Sequence, residues 1–400
     1  MKKILFISTH SFATNPRLVK EIELALQNNY AVTVLCCAFD NSTKNNNDKI
    51  KLWLASQINY YEIPGSRWPL IPWLMSAVIA ALSKISLPLK SSNLFWLSVH
   101  SNKRSWLLLQ NLEKIKEKID LVVAHNAGSF YPAQLFVKKN NIPFGIDLED
   151  YHPGETNNSK EAAYAKSVLK NSLPKAVYIS AASPLILEYS IRDAGALNCA
   201  PVVVQNYFPS AEFIFPAEKE EDKLQLVWFS QHISYNRGLE QVLPIIKNNA
   251  HAVLHLFGNC NEHFKKEWLA DTTNIFIHPA LPQQELHKGL CRFDIGFAIE
   301  PGKDLNNDLA ISNKMLAYFQ AGLYIVSSNT KAQSKFITTH PEHGRVTDLH
   351  SEDLNVLFEQ LFHQKNEIRK QAVQRFDAAR KESWETEAGK LVTAWQQVLS

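Results

Sequence analysis

The chain has 400 residues, long enough for two or three domains of ordinary size. Its 46% hydrophobic and 20% charged content excludes a disordered chain. With 42 Lys and Arg against 39 Asp and Glu, the net charge of +3 is too balanced for a general nucleic-acid binder.

In chain order, Lys3–Ser8 is an apolar run ending in small polar residues, the pattern of a buried strand. Pro16 can sit in the first turn of a helix over Arg17–Asn28, and Ala31–Cys37 is a second β-rich run. Asp120–His125, a helix to Lys139, and Pro143–Leu148 repeat the alternation. A helix near Lys160–Asn171, Ala176–Ala181, a helix to Ala194 and Pro201–Gln205 continue it. Continuous apolar strands separated by helices predict a parallel sheet covered on both faces.

A second cycle follows the Pro- and acid-bearing stretch Asn206–Lys223, with strands at Leu224–Ser230, Ala252–Gly258, Asn274–His278, Phe293–Ile299 and Leu323–Ser328. A polar helical tail is expected from Ser351 onward. The predicted organisation is an α/β domain over 1–208, a linker over 209–223 and a second α/β domain over 224–383. A terminal helix over about 384–400 would pack back on the first domain. Two such sheets would leave a cleft at their carboxyl ends, where ligands of open α/β sheets bind.

The chain lacks GxxxxGK[ST], GxGxxG, HExxH and GxSxG, and its 13 glycines form no phosphate cradle. Any phosphate must be held by helix N-termini and single cationic side chains. The five cysteines (Cys36, Cys37, Cys199, Cys260 and Cys291) show no CxxC spacing, which argues against a zinc site or disulfide framework. With no secretory pattern after Met1-Lys2-Lys3, the expected compartment is the cytoplasm.

Phe229 to Glu240 runs from a strand through a loop to Asn236-Arg237-Gly238, and Ala310 to Val326 runs from loop to helix to strand as Ser312-Asn313-Lys314 … Tyr318-Phe319-Gln320-Ala321-Gly322. This pair of segments resembles the donor-binding domain of the family 4 retaining glycosyltransferases of GT-B fold. The SNK…YxxAG block is its specific part. Leu256-Phe257-Gly258 and Pro279-Ala280-Leu281-Pro282 fall where that family has a strand end and its nucleotide-base loop. The resemblance implies two Rossmann-like domains facing each other across a cleft. It further implies a nucleoside-diphosphate sugar as donor substrate, retention of configuration, and neither metal nor other cofactor.

The residues support this independently. A nucleotide sugar carries about two negative charges on its pyrophosphate, and the departing diphosphate must be stabilised. Arg237 and Lys314, at two helix starts, supply full positive charges beside free backbone N–H groups. Ser312 or Asn313 could cap the second helix or donate to phosphate. One departure stands out. Where the family has two glutamates eight positions apart, this chain has Leu309 and Ala317. Glu300, Asp304 and Asp308 in the upstream polar loop are the candidate replacements for the first, and nothing nearby replaces the second.

In the first half, the resemblance makes His125, at a strand end, a histidine facing the donor sugar; the alternative is a satisfied strand-end histidine. Asp147, Glu149, Asp150 and His152 place four ionisable groups in six residues after an apolar strand, with Glu155 close behind. They are candidates for acceptor binding or general-base duty, Asp150 foremost, against a capping turn. Thr9, His10 and Asn15 form the loop after the first strand, which in the family approaches donor and acceptor.

Residues 68–106 join the longest uncharged apolar run, Trp68–Leu82, to Lys84, Lys90, Lys103 and Arg104. Residues 44–118 alone hold 11 basic and 4 acidic side chains. Fifteen residues span about 22 Å as helix, short of a roughly 30 Å hydrocarbon core. Tryptophans beside lysines fit an element in the interface of an anionic membrane better than a buried helix. The combined expectation is a glycosyltransferase, peripheral on the inner face of the cell membrane, acting on a lipid-linked glycan in surface polysaccharide or lipopolysaccharide synthesis. The competing readings are a nucleotide-sugar 2-epimerase and a sugar-nucleotide-binding relative without turnover.

Overall fold

β1 (Lys3–Ser8) has five of its six residues buried, as an apolar run covered on both faces requires. The computed structural model describes every residue except 42, 88–92, 220 and 350, and every side chain except those and 351–353. The chain divides into two units. Unit 1 comprises Met1–Gln205, Asp304–Asn306 and Ala388–Ser400; unit 2 comprises Asn206–Lys303 and Asn307–Glu387.

Unit 1 adds β2 (Ala31–Ala38), β3 (Ile58–Pro64), β4 (Leu121–His125), β5 (Phe144–Leu148), β6 (Tyr178–Ala181) and β7 (Val202–Val203). All are parallel, in the order β3-β2-β1-β4-β5-β6-β7. The strand order reverses between β1 and β4, which opens a crevice at their carboxyl ends. Ser8, His125 and Asp147 stand side by side there in register.

Unit 2 has β8 (Leu224–Ile233), β9 (Ala252–Cys260), β10 (Ile275–His278), β11 (Ile295–Ala298), β12 (Tyr324–Ser328) and β13 (Gly344–Thr347). They form a parallel sheet in the order β10-β9-β8-β11-β12-β13. Its reversal lies between β8 and β11, so the segments after Ile233 and after Ala298 share one sheet edge.

Three features depart from the sequence expectation. The edge strands β3 and β13 join the sheets although neither reads as a long apolar run. The stretch after Gln205 is no free linker, because Tyr207, Phe208 and Phe213 are buried in the unit 2 core. The tail before the expected terminal helix is not polar throughout: it forms the helices Ser351–His363, Lys365–Lys370 and Ala372–Ala379, followed by Trp384–Leu399. Leu354, Leu357, Phe358 and Leu361 enter the unit 2 core. Trp395 belongs to unit 1, where its Nε1 donates to Tyr178 Oη at 2.9 Å and its ring meets Phe6 and Tyr30.

The apolar run after Trp68 is a helix, Leu70–Ser86, with Pro69 at its N-cap and Pro72 in its first turn, where a missing N–H costs no helical bond. Among the described residues no helix is long and apolar enough to cross a membrane.

Candidate functional site

In unit 2, the chain leaves β8 and turns through Asn236 and Gly238, both at positive φ (59° and 81°), before the helix Leu239–Lys247 begins. Gly238 is suited to its place twice over. It adopts the left-handed region freely, and an added Cβ would press on Ile299 at 3.3 Å. The sharp turn holds Arg237, half-buried, just ahead of the helix.

The second cation is set by the helix Asn313–Gln320. Ser312 caps it, its Oγ accepting from Met315 N–H at 3.3 Å, which settles the choice between Ser312 and Asn313 in favour of Ser312. Met315, Leu316, Tyr318 and Phe319 bury the helix against its sheet, and Lys314 in the first turn keeps only a small part of its side chain exposed. Its Nζ lies 2.7 Å from Glu300 Oε1 and 5.6 Å from the centre of the Trp228 ring. Glu300 follows β11 and is tied down by its backbone N–H, which donates to Ser328 Oγ at 2.9 Å. A cation at a helix N-terminus is electrostatically disfavoured, and Glu300 supplies the offsetting charge.

A cavity of about 500 Å³ gathers these groups: Arg237, Glu300, Ser312, Asn313 and Lys314 line it, and so does Leu281 from the loop after β10. Phe208, Phe229, Phe257 and Leu286 complete an apolar wall, and Gln283 adds an amide. Gly258 lies outside the lining. Its φ of 151° and the Ser230 carbonyl oxygen, 2.3 Å from where a Cβ would stand, show a packing role between β8 and β9. Ala317 and Leu309 are fully buried, and neither lines the cavity. The aromatic wall was not legible in the sequence, since Phe229 and Phe257 read as ordinary strand residues.

Unit 1 presents a different arrangement. His125, at the end of β4, is 1% exposed. Its Nε2 is 3.3 Å from Glu21 and its Nδ1 is 3.5 Å from Asp147. Arg17 holds Asp147 with two bonds, Nε to Oδ2 at 2.8 Å and Nη2 to Oδ1 at 2.7 Å. Ser180 Oγ adds a third at 2.6 Å, and Arg17 Nη1 also donates to the Val204 carbonyl at 2.6 Å. Burial works against the Asp147 carboxylate, but Arg17 and His125 overcome it and hold its pKa below the usual value. Burial likewise disfavours imidazolium at His125, yet Glu21 and Asp147 reverse the balance and raise its pKa. The ring is thus enclosed among charges rather than presented to a ligand.

Glu21, His125 and Asp147 bring ligand atoms within 4.8 Å of one another, a set able to hold a metal among the described residues. Arg17 already engages both Asp147 oxygens, whereas both Glu21 oxygens and both His125 ring nitrogens are buried without a hydrogen-bond partner among the described residues. Arg17 and Glu21 were overlooked at the level of sequence. The signal was present: two charges four apart inside the buried stripe of the helix Pro16–Gln27.

Above this network, the loop after β5 keeps its groups partly exposed. Glu149 has its pKa pushed up to about 7, by burial first and by the neighbouring Asp150 second. Asp150 accepts from Asn306 Nδ2 at 2.8 Å. His152 Nε2 accepts the Ala127 N–H at 3.1 Å, and its Nδ1 is 3.3 Å from Glu155. Burial disfavours its charged form, but Glu155 outweighs that and raises its pKa. Asn15 is 1% exposed and caps the helix Pro16–Gln27, accepting from Leu18 N–H at 2.9 Å. Thr9 is buried and its hydroxyl donates to Asn126 at 2.6 Å, whereas His10 is half-buried at the strand end.

No family model matches the chain, and no curated protein matches it in sequence. Solved structures match it over its length. Sucrose-phosphate synthase of Thermosynechococcus elongatus superposes with a TM-score of 0.67 at 11% identity, covering 100% of this chain and 99% of that one. The Anabaena HepE protein in complex with UDP gives 0.65 at 12% identity, over 99% and 100%. The lipopolysaccharide outer core galactosyltransferase WaaB gives 0.61 at 13% identity, over 99% of each. Two parallel-sheet α/β domains matched end to end by these enzymes define the GT-B glycosyltransferase fold.

Proposed function

We propose that the protein is a glycosyltransferase that takes a sugar from a nucleoside-diphosphate donor and passes it to a glycan acceptor, in the manner of the retaining family 4 enzymes and without a metal. The observation that carries this reading is the unit 2 cavity, with two cations and a capped helix N-terminus converging on a space the size of a nucleotide. Its polar end suits a diphosphate and its aromatic wall a base and ribose. In this reading Lys314 releases Glu300 when the donor enters and, with Arg237, stabilises the charge that grows on the departing diphosphate. Glu300, freed, accepts hydroxyls of the sugar. On the acceptor side, Asp150, Glu149 and His152 are the groups within reach of a ligand. Enclosed His125 acts through Asp147, holding the strand end beneath them, and Asn15 fixes the neighbouring loop. A lipid-linked glycan of surface polysaccharide or lipopolysaccharide synthesis is the acceptor class we favour, at the inner face of the cell membrane.

The test is a thermal-shift panel of UDP-, GDP-, ADP- and dTDP-sugars, followed by an assay of nucleoside diphosphate release. One donor should raise the melting temperature by mass action and be slowly hydrolysed without acceptor. Lys314→Ala should lower that turnover about 100-fold, as loss of a transition-state charge contact does. Unchanged turnover in folded Lys314→Ala would remove the diphosphate assignment. The fold is also shared with a putative UDP-N-acetylglucosamine 2-epimerase of Listeria monocytogenes (TM-score 0.59, 12% identity, 99% of this chain and 96% of that one). Conversion of a UDP-sugar to its 2-epimer without acceptor would replace transfer by that activity.

A further inference from the structure

The helix Leu70–Ser86 is built inside out. Its buried side chains are serines, Ser76 at 1% and Ser83 at 0% exposure, whose hydroxyls donate to the Trp73 and Ala80 carbonyls at 2.7 and 2.6 Å. Six of its large apolar side chains face outward instead, while Leu70, Trp73 and Ile79 are half-buried. Ile71 is 75% exposed, Val78 52% and Ile85 67%, with Leu74, Met75 and Leu82 at 44–45% between them. These positions recur every three or four residues and so form one stripe along one face, about 21 Å long at 1.5 Å per residue. Trp68, 71% exposed, extends it beyond the N-terminus of the helix. Contiguous apolar surface of this kind marks an interaction site.

The charge around the stripe selects the partner. Between Ile63 and Leu112 there is no Asp or Glu, whereas Arg67, Lys84, Lys90, Lys103 and Arg104 all fall there. Lys84 is exposed on the helix itself. Arg67 and Lys103 stand 5.8 and 5.0 Å from the centre of the Trp73 ring, beside the start of the stripe. Lys90 lies outside the described residues. A second copy docked face to face would set these cations against one another. An anionic bilayer satisfies both features at once: the stripe enters the acyl boundary while the cations remain among lipid phosphates.

We propose that the helix Leu70–Ser86 lies flat in the surface of an anionic membrane, with Ile71, Leu74, Val78, Leu82 and Ile85 inserted and Arg67, Lys84 and Lys103 at the headgroups. This goes beyond glycosyl transfer and stands or falls without it, because binding to lipid is read with no donor present. The experiment is co-sedimentation of the full chain with vesicles of equal parts phosphatidylglycerol and phosphatidylcholine, across a salt series. The wild type should pellet with them and leave pure phosphatidylcholine vesicles largely unbound. Ile71→Ser with Val78→Ser should weaken partitioning by about tenfold or more at every salt concentration, because apolar insertion is not screened. Lys84→Gln with Lys103→Gln should weaken it mainly at low salt. These four side chains are partly or well exposed, so the variants should keep the wild-type circular dichroism and melting temperature. A parallel measurement compares quenching by brominated phosphatidylglycerol in the wild type and in Trp68→Phe, and needs no serine variant to fold. Loss of quenching in Trp68→Phe places the residue in lipid. A wild type that stays in the supernatant overturns the proposal. So does a dimer in solution that Ile71→Ser abolishes, which would make the stripe an interface between copies.

Discussion

The carboxyl ends of the two sheets use charge in opposite ways. At the end of the unit 1 sheet, Arg17, Glu21, His125 and Asp147 are each no more than 2% exposed and lie within ion-pair distance of one another. At the end of the unit 2 sheet, Lys314 and Glu300 form one pair at the wall of an open cavity, and Arg237 stands half-buried nearby. Both are ion pairs at a switch point of a parallel sheet. A closed network can only be broken at a cost, whereas an accessible pair can exchange one partner for a ligand anion. Charge at a strand end is therefore no sign of a site until its solvent access is known.

The largest test of this contrast is Arg17→Met. It leaves Asp147 buried without its cation, and breaking a buried pair in this way costs about 3–5 kcal/mol. Urea denaturation should show that loss, while the surviving folded protein keeps its donor affinity. Lys314→Ala should show the reverse weighting, with a smaller loss of stability than Arg17→Met, because its Glu300 partner keeps some solvent access, and with turnover lost. If Arg17→Met leaves stability untouched, the network is no structural element and the contrast fails.

A smaller effect concerns Glu149, which belongs to the partly exposed layer above the network. Its folded pKa, about 7, is raised above the ordinary glutamate value. The stability it confers is therefore complete at pH values below the unfolded pKa and is lost as pH rises through about 7. Glu149→Gln should match wild type in acid and exceed it at pH 8 by about 1–2 kcal/mol, a figure reduced for solvent screening. Melting temperatures from pH 4 to pH 8 would check it. A difference that is constant with pH would mean the carboxyl titrates normally.

The smallest effect sharpens the unit 2 side. Ser312→Ala removes the cap that fixes the helix under Lys314, a loss of about 1 kcal/mol. Donor affinity should fall several-fold more in Ser312→Ala than in Asn313→Ala, because only Ser312 caps the helix. Isothermal calorimetry with whichever donor the thermal-shift panel selects would resolve the two.

Much of the fold could be read from the chain, for a physical reason. Strands such as Lys3–Ser8 and Leu121–His125 are continuous apolar runs because a parallel sheet is covered on both faces, and that signal is local. Helix-start chemistry is local too, so Ser312, Lys314 and Arg237 could be named from their neighbours. Pairing across the chain could not. The bond from Arg17 to Asp147 joins residues 130 positions apart. The enclosure of His125 follows from that bond and from Glu21 on the same helix as Arg17, more than 100 positions from His125, so one strand-end histidine reads alike whether it faces ligand or core. The same limit holds for the helix Leu70–Ser86. Its composition announced an apolar element beside cations, but composition is blind to direction. Only packing decided that Ser76 and Ser83 turn inward and Ile71, Val78 and Ile85 outward, because the face a helix buries is set by the surface it meets.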